Sequence, residues 1–381
     1  MQLIENGHKV EVISLSPRIF NIHHSSLLKN INVIYPSSNP FNYILSTFYC
    51  FFTRKSILFS VEQFKTSFIL LGNKSPLKSI FNFLIIENLI YKINSAKLEI
   101  KHIHSHHLFL STYCTYQIAK KINTSFSITL HTLSYFYPQS VLKNILNKAV
   151  FLRTISSELK PFFNRYINNS SKFHYITNGV NNDEFNFNPS TNTNSEFLIL
   201  AVGALLDKKG FDLIVESCSI LKSNNFKFSC EIYGEGSEKE LLQTIINELN
   251  LTNEVKLMGH KPVSEVIIRM KQASCLIMPS RTPKRSTRDG LPTVIIEAMA
   301  CKLPVISTSF AGIPDIVINC ETGLIVPEED YKAIANAVII LAYDNDLREK
   351  ITKEAYENVK NNYSLTKSVS KLEKLFLEEK K

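Results

Sequence analysis

The stretch from Arg288 to Ala300 (RDGLPTVIIEAMA) combines a turn with a helix start and an acidic side chain. Gly290 permits a tight turn, and Pro292 stands where a helix favours proline as its first residue. Backbone N–H groups at a helix start are not used within the helix, and they attract phosphate. The segment therefore predicts an anion-binding site.

Glu297 stands further along this predicted helix, among Ile295, Ile296, Ala298 and Met299. A carboxylate in such surroundings would be largely buried, and burying it without a partner is costly. Helical side chains tilt toward the N-terminus, so Glu297 could reach a ligand at the helix start and bind a pair of sugar hydroxyls. Pairing with a lysine or capping of backbone groups would satisfy the carboxylate equally well.

A second phosphate-binding pattern is the segment Val202–Gly210 (VGALLDKKG). It follows an apolar, β-branched run, and it has a small-residue turn at Gly203 and a lysine, Lys209, at a helix start. Such a turn and lysine can hold a phosphate. Gly234 lies in a similar G-x-G turn (YGEG) after the next run, which alone is a weak signal.

Histidines form the third pattern. His131 directly follows a β-branched run and would project into a cleft at its end. The run His102–His107 (HIHSHH) would place alternate imidazoles on one face of a strand. Those imidazoles could bind a metal, line a cleft or pack in the interior, and we predict no metal site.

The elements that must position these residues alternate along the chain. The predicted strands are Lys9–Leu15, Ile31–Tyr35, Lys101–Ser105, Phe126–Leu130, Val150–Ser156 and Phe173–Ile176, followed by Phe197–Val202, Phe228–Tyr233, Val255–Met258, Cys275–Met278, Pro304–Ser307 and Gly323–Val326. Helical stretches such as Phe211–Leu221 and Glu238–Leu249 lie between them. This alternation predicts an α/β protein with two doubly wound parallel sheets, and ligands bind beyond the carboxyl ends of such strands.

A polar stretch, Asn186–Ser195, is typical of a linker. We therefore predict a first domain over 1–188 and a second over 189–381, with the last helix, about 364–381, packing back on the first. The chain opens on a helix-like MQLIENGHK that runs into a strand. A doubly wound domain normally begins with a strand and a glycine-rich turn, so we infer that the first strand and loop are missing.

Composition narrows the class of protein. The 381 residues are enough for two or three domains, and 44% hydrophobic with 20% charged residues excludes global disorder. No apolar run approaches the ~18 residues of a spanning helix. Seven cysteines without a C-x-x-C motif, and the lack of a signal peptide, indicate reduced thiols in a cytoplasmic protein.

Charge divides the chain unevenly. Residues 1–190 hold 19 Lys and Arg against 8 Asp and Glu, whereas residues 191–381 hold 24 against 26. Twelve Phe and Tyr lie between positions 41 and 91. Basic charge with aromatics suits an anionic membrane surface or an aromatic core under solvated lysines. We predict no nucleic-acid partner, because no module signature accompanies the charge.

The segment 288–326 resembles the C-terminal domain of family-four retaining glycosyltransferases of the GT-B superfamily. Asp289 and Glu297 have the spacing of the family's E-x7-E motif. The sequence of the segment is most similar to the bacterial branch that makes exopolysaccharide, lipopolysaccharide or colanic-acid-type sugars. By this resemblance Glu297 binds the donor ribose. The residues that would contact the donor sugar and phosphate are Asp289, Gly290, Leu291, Pro292 and Thr293.

The resemblance extends over 95–345. It implies that Gly203, Lys209 and Gly234 hold the donor diphosphate and that His131 hydrogen-bonds the donor sugar. Two positions depart from the family. Many relatives have Arg at the position of Ala204, and an Asp often stands at the position of Ser134. Lys209 would then carry more of the charge, together with Arg281 or Arg288.

The resemblance implies a metal-independent and cofactor-free enzyme with His131, Lys209 and Asp289 as catalytic residues. It would transfer a sugar from a nucleotide-diphosphate donor to a carbohydrate or lipid-linked saccharide with retention of configuration, at the inner face of the cytoplasmic membrane. The alternative is a catalytically decayed, truncated paralogue that binds a membrane or an active partner. The sequence fits a nucleotide-sugar epimerase less well, because that group lacks the RDGLP…EAMA motif.

Overall fold

A computed structural model describes residues 2–13, 32–34, 76–108, 110–132, 138–181, 185, 196–282 and 290–378, and every structural statement below concerns these residues. They form two parallel-sheet α/β halves. The fold class predicted from the alternation of strands and helices is confirmed.

The first half contains a four-stranded parallel sheet and a separate pair of short strands. Its strands are β1 (Glu11–Ile13), β2 (Asn32–Ile34), β3 (His102–His106), β4 (Ser125–Leu130), β5 (Leu152–Thr154) and β6 (Phe173–Tyr175). Its helices are α1 (Gln2–Glu5), α2 (Pro76–Ser95), α3 (Leu110–Ile122), α4 (Gln139–Lys148) and α5 (Leu159–Asn164). Strands β3 to β6 lie side by side in chain order, and β1 pairs with β2.

The second half contains a six-stranded parallel sheet. Its strands are β7 (Phe197–Val202), β8 (Phe228–Tyr233), β9 (Val255–Gly259), β10 (Cys275–Met278), β11 (Val305–Thr308) and β12 (Leu324–Val326). Its helices are α6 (Phe211–Ser223), α7 (Lys239–Glu248), α8 (Val263–Met270), α9 (Thr293–Ala300), α10 (Tyr331–Tyr343) and α11 (Asn345–Asn362). The strand order across the sheet is β12-β11-β10-β7-β8-β9. Strands β7 to β9 follow one another toward one edge and β10 to β12 toward the other, and ligands bind in sheets of this kind at the point between β7 and β10.

Each half has its own hydrophobic core. In the first, Ile86 and Leu89 of α2 are buried together with Ile128 of β4. In the second, Ile214 of α6 and Ile296 of α9 are buried in the same core as the central strands. The two halves are therefore packed as separate units.

The chain passes between the halves at two adjacent points. Val180 forms a β-bridge with Ser364, its N–H donating to the Tyr363 carbonyl oxygen at 2.9 Å. Beyond Ser364 the final helix, α12 (Leu365–Glu378), returns to the first half. There Phe376 lies 5.2 Å from the ring of His102, and Glu373 accepts a hydrogen bond from Asn6.

Every strand predicted from the sequence is present, with ends that differ by no more than a few residues. The predicted boundary between 188 and 189 lies outside the described residues and stays a prediction. The helix–strand opening corresponds to α1 and β1. No helix in the described ranges has the length and apolar character needed to cross a bilayer.

Candidate active site

Two backbone turns at the carboxyl ends of β7 and β8 pack directly on each other. The Gly203 N–H donates to the Tyr233 carbonyl oxygen at 2.9 Å, and the Leu205 N–H donates to the Glu235 carbonyl oxygen at 3.0 Å. A Cβ atom at Gly234 would overlap the carbonyl oxygen of Gly203, so only glycine fits there. The structure therefore brings the two predicted glycines together.

Lys209 ends a short 3₁₀ turn, Asp207–Lys209, that follows the first glycine turn. Its side chain is half-buried. The Lys209 Cε atom lies 3.9 Å from the position that a Cβ atom would take at Gly203. The lysine stem thus lies along the glycine turn, as the pattern predicts.

Arg281 has a different role from the one expected. Its guanidinium, almost fully buried, pairs with Asp207 at 2.7 Å, with Asp212 at 2.8 Å and with Glu329 at 3.1 Å. Three carboxylates neutralise the charge, and the expectation that Arg281 supplements Lys209 is wrong. The ion pairs instead fasten the end of β10 to the turn that carries Lys209.

The helix α9 begins at Thr293, and Pro292 is its N-cap, one residue from the predicted start. The Ile295 N–H donates to the Pro292 carbonyl oxygen at 3.2 Å. The N–H groups of Thr293 and Val294 belong to the first turn, which a helix leaves without internal acceptors. The observed helix start has the geometry of an anion site.

Glu297 lies on the one accessible face of α9. Every other residue of the helix is buried except Thr293, which stands one turn earlier on the same face. Burial raises the pKa of the Glu297 carboxyl, and a hydrogen bond with the Thr293 side chain opposes this effect. The partner of the carboxylate in the structure is therefore a threonine hydroxyl and not a lysine.

The turn before α9 touches the first half of the molecule. A Cβ atom at Gly290 would overlap the carbonyl oxygen of His131 and would lie 3.1 Å from the Ile155 Cδ1 atom. The backbone of Gly290 is thus in direct contact with the end of β4, and a larger residue would not fit. This contact joins two predicted site residues that are far apart in the sequence.

The ring of His131 is held by two other histidines. Its Nε2 atom lies 2.9 Å from the His106 Nδ1 atom, and its ring stacks on His107 with centroids 4.2 Å apart. Burial, followed by the nearby His107, His106 and Arg153, lowers the pKa of His131 to about 3. The imidazole is therefore neutral near pH 7 and can act there as a hydrogen-bonding group.

The remaining histidines of the run bind hydroxyl groups on the neighbouring strand. The two ring nitrogens of His102 lie 2.7 Å from Ser125 Oγ and 2.6 Å from Ser127 Oγ. Those of His104 lie 2.7 Å from Ser127 Oγ and 2.7 Å from Thr129 Oγ1. This row, which we call the imidazole–hydroxyl ladder, uses both nitrogens of each ring.

Asp315 is a cleft residue that the sequence patterns did not identify. Its carboxylate accepts a hydrogen bond from the Ser157 N–H at 2.7 Å, another from the Ser157 hydroxyl at 2.5 Å and a third from the Tyr175 hydroxyl at 3.2 Å. The only sequence signal was its place after β11, at the same edge of the sheet as α9. Asp289, Arg288 and Ser134 lie outside the described residues.

Comparison with known proteins finds a family match in the second half. Residues 182–358 match the family described as glycosyl transferases group 1. This part of the chain therefore resembles a group 1 glycosyltransferase domain. The matched segment contains both glycine turns, Lys209 and α9, whereas His131 precedes it.

Two relatives show how far the sequence likeness extends. The chain is 32% identical over 173 residues to the amylovoran biosynthesis glycosyltransferase AmsK of Erwinia amylovora. This alignment covers 45% of this chain and 42% of AmsK. The chain thus spans less than half the length of that curated relative. It is 26% identical over 336 residues to an uncharacterized glycosyltransferase of Methanocaldococcus jannaschii, which covers 84% of this chain and 88% of that protein.

A solved structure shows the fold of the whole molecule. The crystal structure of Anabaena HepE in complex with UDP-glucose superimposes with a TM-score of 0.71 at 16% identity, covering 97% of this chain and 91% of HepE. The matched segment and the half that precedes it therefore have the GT-B fold.

Proposed function

We propose that the protein is a glycosyltransferase that moves a sugar from a nucleotide-diphosphate donor to a carbohydrate or lipid-linked saccharide acceptor, in the synthesis of a cell-surface polysaccharide. The contact between Gly290 and His131 carries this proposal. It sets the turn before a helix start suited to anions against the backbone of His131, a residue of the opposite half whose imidazole is neutral. A sugar bound by its phosphate at α9 would lie next to that imidazole.

The donor diphosphate would bind at the carboxyl ends of β10, β7 and β8, which are neighbours in the sheet. Lys209 and the start of α9 both lie at this edge and would stabilise the negative charge that develops on the leaving diphosphate. Glu297 would accept hydrogen bonds from the ribose hydroxyls. Its raised pKa is consistent with a carboxylate kept ready for a ligand.

In the proposed reaction the bond between the anomeric carbon and the donor phosphate oxygen breaks. A bond from the acceptor oxygen to the same carbon forms on the same face, so the configuration is retained. The departing phosphate takes the proton of the acceptor hydroxyl. His131 would orient the donor sugar and stabilise the oxocarbenium-like transition state by hydrogen bonding, and closure of the cleft would exclude water.

We further propose that the reaction needs neither a divalent metal nor another cofactor. Lys209 and the helix start supply positive charge where many sugar transferases use a metal. Asp289, in the E-x7-E position, stays a proposed catalytic residue. The basic first half would hold the acceptor at the anionic inner face of the cytoplasmic membrane, because clustered Lys and Arg are attracted to such surfaces.

A panel of nucleotide sugars tests the donor. Thermal unfolding is measured with each nucleoside diphosphate sugar, and the one that stabilises the protein is then supplied with lipid-linked and free saccharide acceptors. We expect a glycoside product whose anomeric proton coupling in NMR shows retention, and the same rate with and without chelator. Loss of activity with chelator would contradict metal independence alone.

The panel also separates the enzyme from a catalytically decayed relative. A protein that neither binds nor hydrolyses any of the donors would contradict the proposed function. Glu297→Gln is the matched control for donor binding, because it preserves shape and removes the charge that would receive the ribose hydroxyls. The stabilising donor should lose most of its thermal shift in that variant.

A further inference from the structure

The loop after β11 is fastened to the first half by a set of hydrogen bonds. Asp315 ends a 3₁₀ turn, Ile313–Asp315, and its carboxylate accepts the bonds from Ser157 and Tyr175 described above. Its own carbonyl oxygen accepts a hydrogen bond at 2.9 Å from the hydroxyl of Tyr363, at the point where the chain crosses between the halves. One short loop is thus tied to β5, β6 and the crossing segment.

The same loop touches the turn that precedes α9. A Cβ atom at Gly312 would lie 2.6 Å from the Ser156 Cβ atom and 3.2 Å from the Leu291 Cβ atom. The Gly312 backbone is therefore packed between the first half and the donor turn. Leu291 is next in sequence to Gly290, whose backbone meets His131. The contacts form a continuous path from Asp315 to the site.

We propose that Asp315 is a positioning residue that holds the donor turn, through Gly312 and Leu291, at the distance from His131 that sugar transfer requires. The inference rests on the proposed function, because the distance matters only if a sugar reacts there. Among the described residues, Asp315 has no hydrogen bond to a predicted donor-binding residue. Its effect should therefore fall on the rate of reaction and not on donor binding.

The hydrogen bonds of Asp315 lie near the surface, whereas a buried hydroxyl lies next to them. Ser157 and Tyr175 are both exposed, so water can replace their hydrogen bonds to Asp315 at little cost. Beneath them the Ser156 hydroxyl is fully buried and finds no hydrogen-bond partner in the structure. A buried, unsatisfied hydroxyl opposes the closed contact, whereas the Asp315 hydrogen bonds favour it. We therefore expect loss of the Asp315 hydrogen bonds to weaken the contact and loss of the Ser156 hydroxyl to strengthen it.

A double-mutant cycle tests the contact without any assay of activity. The variants are Asp315→Asn, Ser157→Ala and the two combined, each measured by chemical denaturation at pH 7. The side-chain amide of Asn would place an N–H group toward the hydrogen-bond donors of Ser157 and Tyr175. Asp315→Asn should therefore lower the denaturation midpoint. The combined variant should be no less stable than Asp315→Asn alone, and strictly additive losses would overturn the contact.

Kinetics with the stabilising donor tests the positioning role. In Asp315→Asn we expect kcat to fall by about 10- to 100-fold while the donor KM changes by less than about 3-fold, since misplacement by about 1 Å can cost that much in rate. Glu321→Gln is the control, because this carboxylate is exposed and lies six residues further on. An unchanged kcat, or a rise in donor KM that accounts for the whole loss, would overturn the proposal.

Ser156→Ala should act in the opposite direction. Removing the unsatisfied hydroxyl should raise the denaturation midpoint and reduce the radius of gyration in small-angle X-ray scattering, whereas Asp315→Asn should increase that radius. Identical scattering from all three proteins would contradict a contact that controls closure. If the parent protein transfers no sugar, the proposed function fails, while the cycle and the scattering still decide whether Asp315 fastens the two halves.

Discussion

Glu297 lowers the stability of the folded protein when no ligand is bound. Because burial raises its pKa, the folded protein binds a proton more tightly than the unfolded chain does. The resulting loss of stability appears as the pH rises above the unfolded value of about 4.3. We therefore expect Glu297→Gln to be more stable than the parent at pH 7 without donor. Denaturation at pH 7 and pH 4 measures this, and the difference should disappear at pH 4.

Lys209 should matter to the reaction far more than its neighbour. If it stabilises charge on the leaving diphosphate, Lys209→Ala should reduce kcat about 10²- to 10³-fold, the usual effect of one such group. Lys208→Ala is the matched control, since Lys208 lies in the same 3₁₀ turn and contributes its backbone carbonyl to Arg281. Equal losses in the two variants would show that the effect is general charge and not a specific contact.

Local spacing put Gly203 and Lys209 on one short segment, and the structure brings the lysine stem to that glycine. The pairing of Glu297 with Thr293 was not predicted, although the two residues lie one helical turn apart. The roles of these residues in donor binding stay predictions. The neutralisation of Arg281 was not predictable, because its three carboxylates come from separate segments. Asp315 was missed for the same reason, since its partner Ser157 is 158 residues away in sequence.

At the scale of elements, the turn before α9 depends on the absence of a side chain. Gly290→Ala would force its Cβ atom into the carbonyl oxygen of His131, so α9 or β4 must shift. We expect a loss of about 1–3 kcal/mol in unfolding free energy, measured by chemical denaturation. Gly203→Ala is the control, because its new methyl group would meet its nearest neighbour at an ordinary 3.4 Å.

The strands β3 and β4 should make the protein sensitive to acid. Burial lowers the pKa of His102 to about 4, and that of His131 to about 3. Both values lie below the unfolded value of about 6.5, so stability is present above pH 6.5 and is lost as the pH falls toward 4. Between pH 7 and pH 4.5, the free energy of unfolding of His131→Gln should fall by about 1 kcal/mol less than that of the parent, as measured by chemical denaturation at the two pH values. This figure allows for the partial exposure of the ring.

The sequence contains only half of the information that defines the imidazole–hydroxyl ladder. The residues of β3 at positions 102, 104 and 106 pair in parallel register with Ser125, Ser127 and Thr129 of β4. The alternation of histidine on one strand therefore matches an alternation of hydroxyls on the next. The pattern was visible on each strand separately, but the register between two strands is a property of the folded sheet.

For the whole molecule, the alternation of strands and helices predicted both sheets, because a parallel sheet requires a crossover between successive strands. The strand order of the second sheet was not predictable from that alternation, because it depends on packing between segments that are distant in the chain. The sequence did predict that the last helix, about 364–381, packs back on the first half, and α12 lies against that half in the structure. The predicted limits of the two domains stay predictions.

The two adjacent crossings at Val180 and Ser364 restrict how one half can move against the other. Two chain segments joined side by side by backbone hydrogen bonds behave as a narrow ribbon, which bends readily in one direction and resists torsion. Opening should then follow a single swing about an axis along this ribbon. The edges of the two halves farthest from the ribbon would travel the greatest distance, and the acceptor of the proposed reaction would enter from that side.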